Sequence, residues 1–168
     1  MSPEERAEKT QALCAQLYPH IGDARVVAGY LALGDEADPA PLLERLAAEG
    51  REIALPIVIS RKHPLKFVKW RAGDPLQPGQ LGVLQPSPNA PELVPELFIT
   101  PLTGFTRAMG RIGQGAAHYD RAFAAHPAAR RIGFAWSVQE VDTLPADPWD
   151  APLHAVATER EWIEPVSS

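Results

Sequence analysis

Apolar residues recur along the chain in two rhythms, one helical and one continuous. Leu13 with Leu17, and Cys14 with Tyr18, stand four apart on one face. Ser2-Pro3-Glu4-Glu5 before them reads as a capping box with proline at the first helical position, so the spacing predicts a helix to about Pro19. "ARVVAGYLAL" (Ala24 to Leu33) is an almost unbroken apolar run, as in a strand buried on both faces. "APLLERLAAEG" (Ala40 to Gly50) returns to the helical rhythm and stops at a glycine. "EIALPIVI" (Glu52 to Ile59) predicts a second buried strand, with Pro56 marking a bulge or an edge. This order predicts a parallel pair with a right-handed crossover.

"PLKFVKW" (Pro64 to Trp70) reads as an antiparallel or edge strand. Arg71 to Glu96 holds six prolines and three glycines and is expected to be a long ordered loop without an element of its own. "LFITP" (Leu97 to Pro101) predicts a short buried strand, and a helix is expected from near Ala116 to His126-Pro127. "RRIGFAW" (Arg130 to Trp136) and "HAVATE" (His154 to Glu159) predict later strands. The whole, residues 1–168, reads as a single three-layer α/β/α domain with a mostly parallel sheet.

Composition narrows the function. The 168 residues are 45% apolar, enough for a substantial core, and carry a net charge of -5. That charge argues against a nucleic-acid partner, which needs a basic surface. A basic cluster, "SRKHPLKFVKWR" (Ser60 to Arg71), survives inside the acidic average, either as a solvated edge or as a patch for a polyanion. Cys14 is the one cysteine and excludes an intramolecular disulfide. A polar start and no apolar run near the roughly 18 residues of a membrane span predict no membrane partner and a cytoplasmic protein. A monomer is expected.

The chemistry concentrates in "GRIGQGAAHYDRAF" (Gly110 to Phe123). There is no G-x-S-x-G and no Walker A, and the histidines lack metal-ligand spacing. The glycines read G-x-x-G-x-G and follow their strand only after "LTGFTRAMG", which is not the dinucleotide-binding arrangement. Gly113 and Gly115 permit backbone angles that bring N–H groups to an anion, and a helix N-terminus follows. Arg111 offers a forked contact to phosphate, and Asp120 suits such a site only if it holds Mg²⁺. On these residues alone the loop is either a phosphate cradle or a tight turn with a capping acid.

"PLTGFTRAMGRIGQGAAHYD" (Pro101 to Asp120) resembles the signature P-G-x-x-F-D-x-x-G-x-R-L-G-x-G-x-G-Y-Y-D of the 5-formyltetrahydrofolate cyclo-ligase family. "YLALGDEADPAPLLERLAAEGREIALP", "LKFVKW", "GQLGVLQPSP" and "WSVQEVDTLPADPWDAPLHAVATE" resemble its other segments in order, from about Ser2 to Glu159. The resemblance implies a cyclo-ligase fold, related to the CoA-transferase-like architecture. It also implies a reaction. The formyl oxygen of 5-formyltetrahydrofolate attacks the γ-phosphate of MgATP, N10 attacks the activated carbon, and 5,10-methenyltetrahydrofolate, ADP and phosphate result. Phosphoryl transfer needs positioning and charge neutralisation, which amides, an arginine and a carboxylate-held Mg²⁺ supply.

By position, the resemblance makes Arg111 and Tyr119 catalytic and gives Arg111, Ile112, Gly113, Gln114, Gly115, Ala116, Ala117, His118 and Tyr119 to ATP. It gives Leu31, Glu36, Trp70 and Gln114 to His118 to the folate, and Asp120 and Asp150 to Mg²⁺. Trp70 serves either as an aromatic wall or as packing, and Lys66 and Lys69 either meet the glutamate tail or are solvated. Tyr30 and Trp136 read as core.

The pattern departs from the family's at several points. Thr106 replaces an aspartate, Leu102 and Met109 replace glycines, and Ala117-His118 replace Gly-Tyr. His154 stands where an aspartate is common. Family members begin with a basic helix whose lysine and arginine contact ATP, whereas this sequence opens on "MSPEER". That leaves three expectations: an upstream start, an ATP site built differently, or a non-catalytic reduced-folate-binding or regulatory relative. A sugar-phosphate isomerase or sensor of similar architecture is a further alternative, resting on fold analogy.

Overall fold

The first helix begins where the sequence caps it. In α1 (Pro3–Leu17) the Ser2 hydroxyl accepts the Glu5 N–H at 3.1 Å, and a 3₁₀ turn (Tyr18–His20) follows. The protein is described by a computed structural model covering residues 1–60, 62–79, 84–113, 116–144 and 151–165, without the side chains of 116 and 117. Its further elements are β1 (Val26–Ala28), α2 (Ala40–Ala48), β2 (Glu52–Ile57), β3 (Lys66–Lys69), β4 (Leu76–Pro78), β5 (Leu84–Pro86) and β6 (Leu97–Thr100). They continue with β7 (Gly104–Phe105), β8 (Arg111–Ile112), α3 (Ala116–Ala125), β9 (Arg130–Phe134), β10 (Ala155–Ala157) and β11 (Trp162–Ile163).

Among the described residues a seven-stranded sheet runs β11-β10-β9-β6-β1-β2-β3. The inner pairings are parallel, and the two outermost strands, β11 and β3, pair antiparallel. Both faces are covered, and the period-2 geometry of a strand divides its side chains between them. Val27, Ile53 and Ile99 pack with Leu13, Leu17, Leu42 and Leu46 of α1 and α2. Their neighbours Ala28, Ala54 and Phe98 pack with Ala122 and Phe123 of α3. The expected three-layer α/β/α arrangement follows from these two cores. Cys14 packs partly buried against the first, and burial pushes its thiol up to about 11.

Three expectations need correcting. The run Ala24 to Leu33 is strand only at Val26–Ala28. Gly29 comes so close to α2 that an added Cβ would meet Leu43 Cδ1 at 2.5 Å, and the chain then leaves the sheet. Tyr30, Leu31 and Leu33 stay apolar because they line a cavity, which periodicity cannot tell from a buried strand. The segment Arg71 to Glu96 contains an antiparallel ribbon, β4 with β5. Its prolines are tolerated because the ribbon's outer edges carry no ladder partner among the described residues. Finally, part of the expected phosphate loop is a β-hairpin, with Gly104 opposite Ile112 and Phe105 opposite Arg111. Pro56 lies beyond the last β1 partner of β2, where it pairs with β3 alone.

Candidate active site

The connection from β1 to β2 passes through α2 on one face, and the connection from β6 to β9 passes through α3 on the other. Since β1 and β6 are neighbours, the strand order reverses between them. Ligands of open α/β sheets bind beyond the strand C-termini at such a point. A cavity of about 220 Å³ opens there, lined by Tyr30, Leu31 and Glu36 after β1, Pro101 after β6, and His118 and Tyr119 of α3. Leu55 and Pro56 of β2, Val58 just after it, Leu33, Leu65 and Leu84 to Pro86 of β5 complete its wall.

One acid projects polarity into this apolar wall. Glu36 is half-buried, its Oε1 accepting the Leu33 N–H at 2.8 Å. Burial holds its carboxyl above the usual carboxylate range, against the lowering effect of the Leu33 hydrogen bond. Arg6 donates to the Glu36 carbonyl at 3.1 Å and to the Gly34 carbonyl at 2.9 Å, tying the loop to α1. Tyr30 donates its hydroxyl to the Ala37 carbonyl inside the same loop. Tyr30 thus serves both core and cavity, whereas Trp136 is core and donates Nε1–H to the Asp35 carbonyl at 3.0 Å.

The hairpin of β7 and β8 places Arg111 beneath the start of α3. The Arg111 side chain is 3% exposed, with Nη2 at 3.7 Å from Asp120 Oδ1, and Asp120 is 15% exposed. The guanidinium lies 5.4 Å from the ring centres of Tyr119 and Phe123. Ala151 donates its N–H to the same Asp120 oxygen at 3.4 Å. Tyr119 is buried, and burial raises its phenol well above its ordinary value, with Arg111 opposing and Glu36 adding. It therefore stays protonated at ordinary pH.

Gly113 does not take a positive φ. Its need for glycine is packing, since a Cβ would stand 3.3 Å from Leu102 Cα and 3.4 Å from Thr103 N. The turn itself is held by Thr106, whose Oγ1 accepts the Gly110 N–H at 3.2 Å. Met109, where the resembled signature has glycine, sits at φ 73° with its side chain buried.

Leu31, Glu36, His118 and Tyr119 are thus gathered at one cavity, with Arg111 and Asp120 directly behind Tyr119. His118 Nε2 lies 3.1 Å from the Ser60 carbonyl and links α3 to the basic segment. Ile112 is exposed on β8. Trp70 lines a separate pocket of about 60 Å³ against α2, which shares only Tyr30 and Leu31 with the main cavity. Lys66 and Lys69 pair with Glu92 at 3.8 Å and Glu52 at 3.4 Å. Gln114, Gly115 and Asp150 lie outside the described residues, as do the side chains of Ala116 and Ala117. Leu84, Gln85, Pro86 and Pro101 line the cavity without having been expected there. Their proline-rich setting marks a loop in the sequence, and only the ribbon's fold-back brings the first three to the cavity.

Among the described residues no group of three or more His, Cys, Asp or Glu side chains gathers to hold a metal. Asp120 supplies one hard oxygen donor. That suits Mg²⁺, which takes one or two protein carboxylates when phosphates and water fill the remaining positions. No helix among the described residues is long and apolar enough to cross a membrane.

Comparison with known proteins identifies the family and the fold. Residues 1–159 match the model of the 5-formyltetrahydrofolate cyclo-ligase family. The 5-formyltetrahydrofolate cyclo-ligase of Escherichia coli K12 is 30% identical, aligned over 94% of this chain and 92% of its own. That of Haemophilus influenzae is 28% identical over 77% of this chain and 73% of its own. Among solved structures, the 5,10-methenyltetrahydrofolate synthetase of Mycoplasma pneumoniae superposes with a TM-score of 0.71 at 25% identity, covering 95% of this chain and 90% of that one. The Aquifex aeolicus synthetase, at 24% identity, shares the fold with a TM-score of 0.82, covering 100% of this chain and 87% of that one.

Proposed function

The chain belongs to the 5-formyltetrahydrofolate cyclo-ligase family, and from that premise we propose that it closes 5-formyltetrahydrofolate to 5,10-methenyltetrahydrofolate at the expense of ATP. The formyl oxygen attacks the γ-phosphorus as the bond to the ADP oxygen breaks. N10 then bonds to the activated carbon, phosphate leaves with the former formyl oxygen, and the N10 proton passes to solvent. The observation that carries this reading is one juxtaposition. An apolar cavity with a single half-buried acid abuts, through His118 and Tyr119, the element that holds a buried arginine and a carboxylate.

Each residue has a physical task in this reading. Glu36 accepts hydrogen bonds from the donor edge of the pterin, where the surrounding apolar wall strengthens them. Leu31 and the cavity side of His118 flank the ring. Arg111, fixed between Asp120 and the two aromatic rings, meets the transferring phosphoryl oxygens as a preorganised fork. Tyr119 packs beside it as a protonated phenol. Asp120 would hold Mg²⁺, with Asp150 proposed as a second carboxylate, and the ion would neutralise charge on the phosphates. Gly113 keeps the loop pressed on Leu102 and Thr103 so that backbone N–H groups reach the phosphates.

The test is to mix the protein with 5-formyltetrahydrofolate and MgATP and follow the methenyl chromophore, omitting ATP as control. Growth only with ATP is expected. Folate bound without turnover would leave a non-catalytic folate-binding relative, and no folate binding would remove the cavity assignment.

A further inference from the structure

The loops that carry the two halves of the site leave the sheet separately. Glu36 stands in the loop after β1, and Leu102, against which Gly113 packs, follows β6. The ladder between these two strands ends at Ala28 opposite Phe98. A short 3₁₀ turn beyond β9, Ser137–Gln139, reaches both loops. Trp136, just before it, is buried and donates its indole Nε1–H to the Asp35 carbonyl at 3.0 Å, one residue from Glu36. Gln139 Oε1 accepts the Trp136 backbone N–H at 2.8 Å, and Gln139 Nε2 donates to the Leu102 carbonyl at 3.0 Å. The turn is fixed from its other side by Glu159, after β10. That carboxylate, with its side chain 7% exposed, accepts the Ser137 N–H and hydroxyl at 2.6 Å each.

Trp136 and Gln139 do not line the cavity. Their hydrogen-bonding side-chain atoms go to backbone groups. The partners dictate the orientation of the Gln139 amide, since reversing it would set oxygen against oxygen at Leu102 and N–H against N–H at Trp136. An amide held at both ends fixes the separation of its partners, whereas an apolar side chain of the same size fills the space and fixes neither. Transfer between two bound ligands depends on such separations, and a displacement of about 1 Å can lower the rate about 100-fold. Resting on the reading that Glu36 meets the folate and the Arg111 hairpin meets the nucleotide, we propose that Trp136 and Gln139 are positioning residues. Together they brace the Glu36 loop against the base of the hairpin, so that the two ligands meet at a fixed separation. The brace sets alignment and leaves the contacts to each ligand as they are.

The test takes two variants of the whole protein. Gln139→Met keeps the volume and removes both bonds; Gln139→Glu keeps the Trp136 bond and turns an oxygen onto the Leu102 carbonyl. Both should lose roughly tenfold or more in kcat for methenyl formation. Both should bind 5-formyltetrahydrofolate alone, and a non-hydrolysable ATP analogue alone, within about threefold of wild type, because an interaction that aligns rather than binds shows in kcat. Gln139→Met should also speed amide hydrogen exchange roughly tenfold in 33–36 and in 102–112 together, while Val26–Ala28 and Leu97–Thr100 keep wild-type rates. Gln139→Glu serves if Gln139→Met does not fold. Wild-type kcat in a folded variant, or a loss of kcat that only follows lost affinity for one ligand, would overturn the proposal. Faster exchange in one loop alone would overturn it as well. Wild type that binds folate and never forms methenyl product would instead sink the ligase reading. Exchange would then decide the brace, joint loosening of the two loops supporting it and loosening of one loop or neither refuting it.

Discussion

Replacing Glu36 by glutamine should separate the stability of the cavity from its affinity. Glutamine keeps an oxygen to accept the Leu33 N–H, now at 2.8 Å, and leaves the Arg6 contacts to the loop carbonyls in place. It removes a carboxylate that burial penalises. Because the folded pKa is raised, the folded chain binds that proton more tightly than the unfolded chain. Ionisation therefore costs stability as pH climbs from the ordinary carboxylate value through the raised folded one. Glu36→Gln should match wild type in melting temperature at acid pH and exceed it at neutral pH. Binding should move the other way. A hydrogen bond to a charged group is worth about 1.5–3 kcal/mol, so each pterin bond that loses its charged acceptor weakens the folate roughly 10- to 150-fold. ATP affinity, which the proposed function assigns to Arg111 and the hairpin, should change less than about twofold. Separate titrations with 5-formyltetrahydrofolate and with ATP, plus melts at two pH values, check all three. Equal losses for both ligands, or a variant less stable than wild type at neutral pH, would refute the reasoning.

Asp120→Asn leaves Arg111 buried beside a neutral partner. At 3.7 Å and an effective dielectric near 20 the direct attraction is about 4 kcal/mol. After partial compensation by the amide, a loss of about 1–3 kcal/mol is expected, or several degrees in a thermal melt; an unchanged melt would contradict the pair's importance. Met109→Gly relieves a left-handed φ of 73° worth about 1–2 kcal/mol but deletes a buried side chain worth about 2–5 kcal/mol. Net destabilisation is expected in denaturant titration, and a more stable variant would show that strain dominates. Gly113→Ala should lower kcat/KM by pushing the loop off Leu102 and Thr103, and wild-type kinetics would show that the loop yields freely. Cys14, its thiol pushed up to about 11, should resist a thiol reagent at neutral pH until the chain unfolds; fast labelling of the native protein would contradict its burial.

Elements carried by local rhythm are legible in the sequence itself. The Ser2 cap, the glycine stop at Gly50, α3 and the antiparallel edge β3 all lie where their residues predict. What stays hidden depends on tertiary placement. Tyr30, Leu31 and Leu33 extend an apolar run beyond β1 because a cavity needs the same residue types as a core. The prolines of 71–96 forbid a central strand but not a ribbon with open edges. The hairpin before α3 brings Arg111 under Asp120, a contact that their spacing in the chain does not announce. Gly113 suggests a special φ, and its actual constraint is the Leu102 backbone behind it. Trp70 follows an aromatic strand toward the site in sequence, yet faces the small pocket against α2.

The central claim, that ATP is used to phosphorylate the formyl oxygen before ring closure, is tested most directly by following that oxygen. Substrate labelled with ¹⁸O in the formyl group would be turned over with unlabelled MgATP, and the released phosphate analysed by mass. The account predicts one ¹⁸O in each phosphate formed per methenyl product. Methenyl product accompanied by unlabelled phosphate would contradict it, because ATP would then be hydrolysed by water and the ring closed by another route.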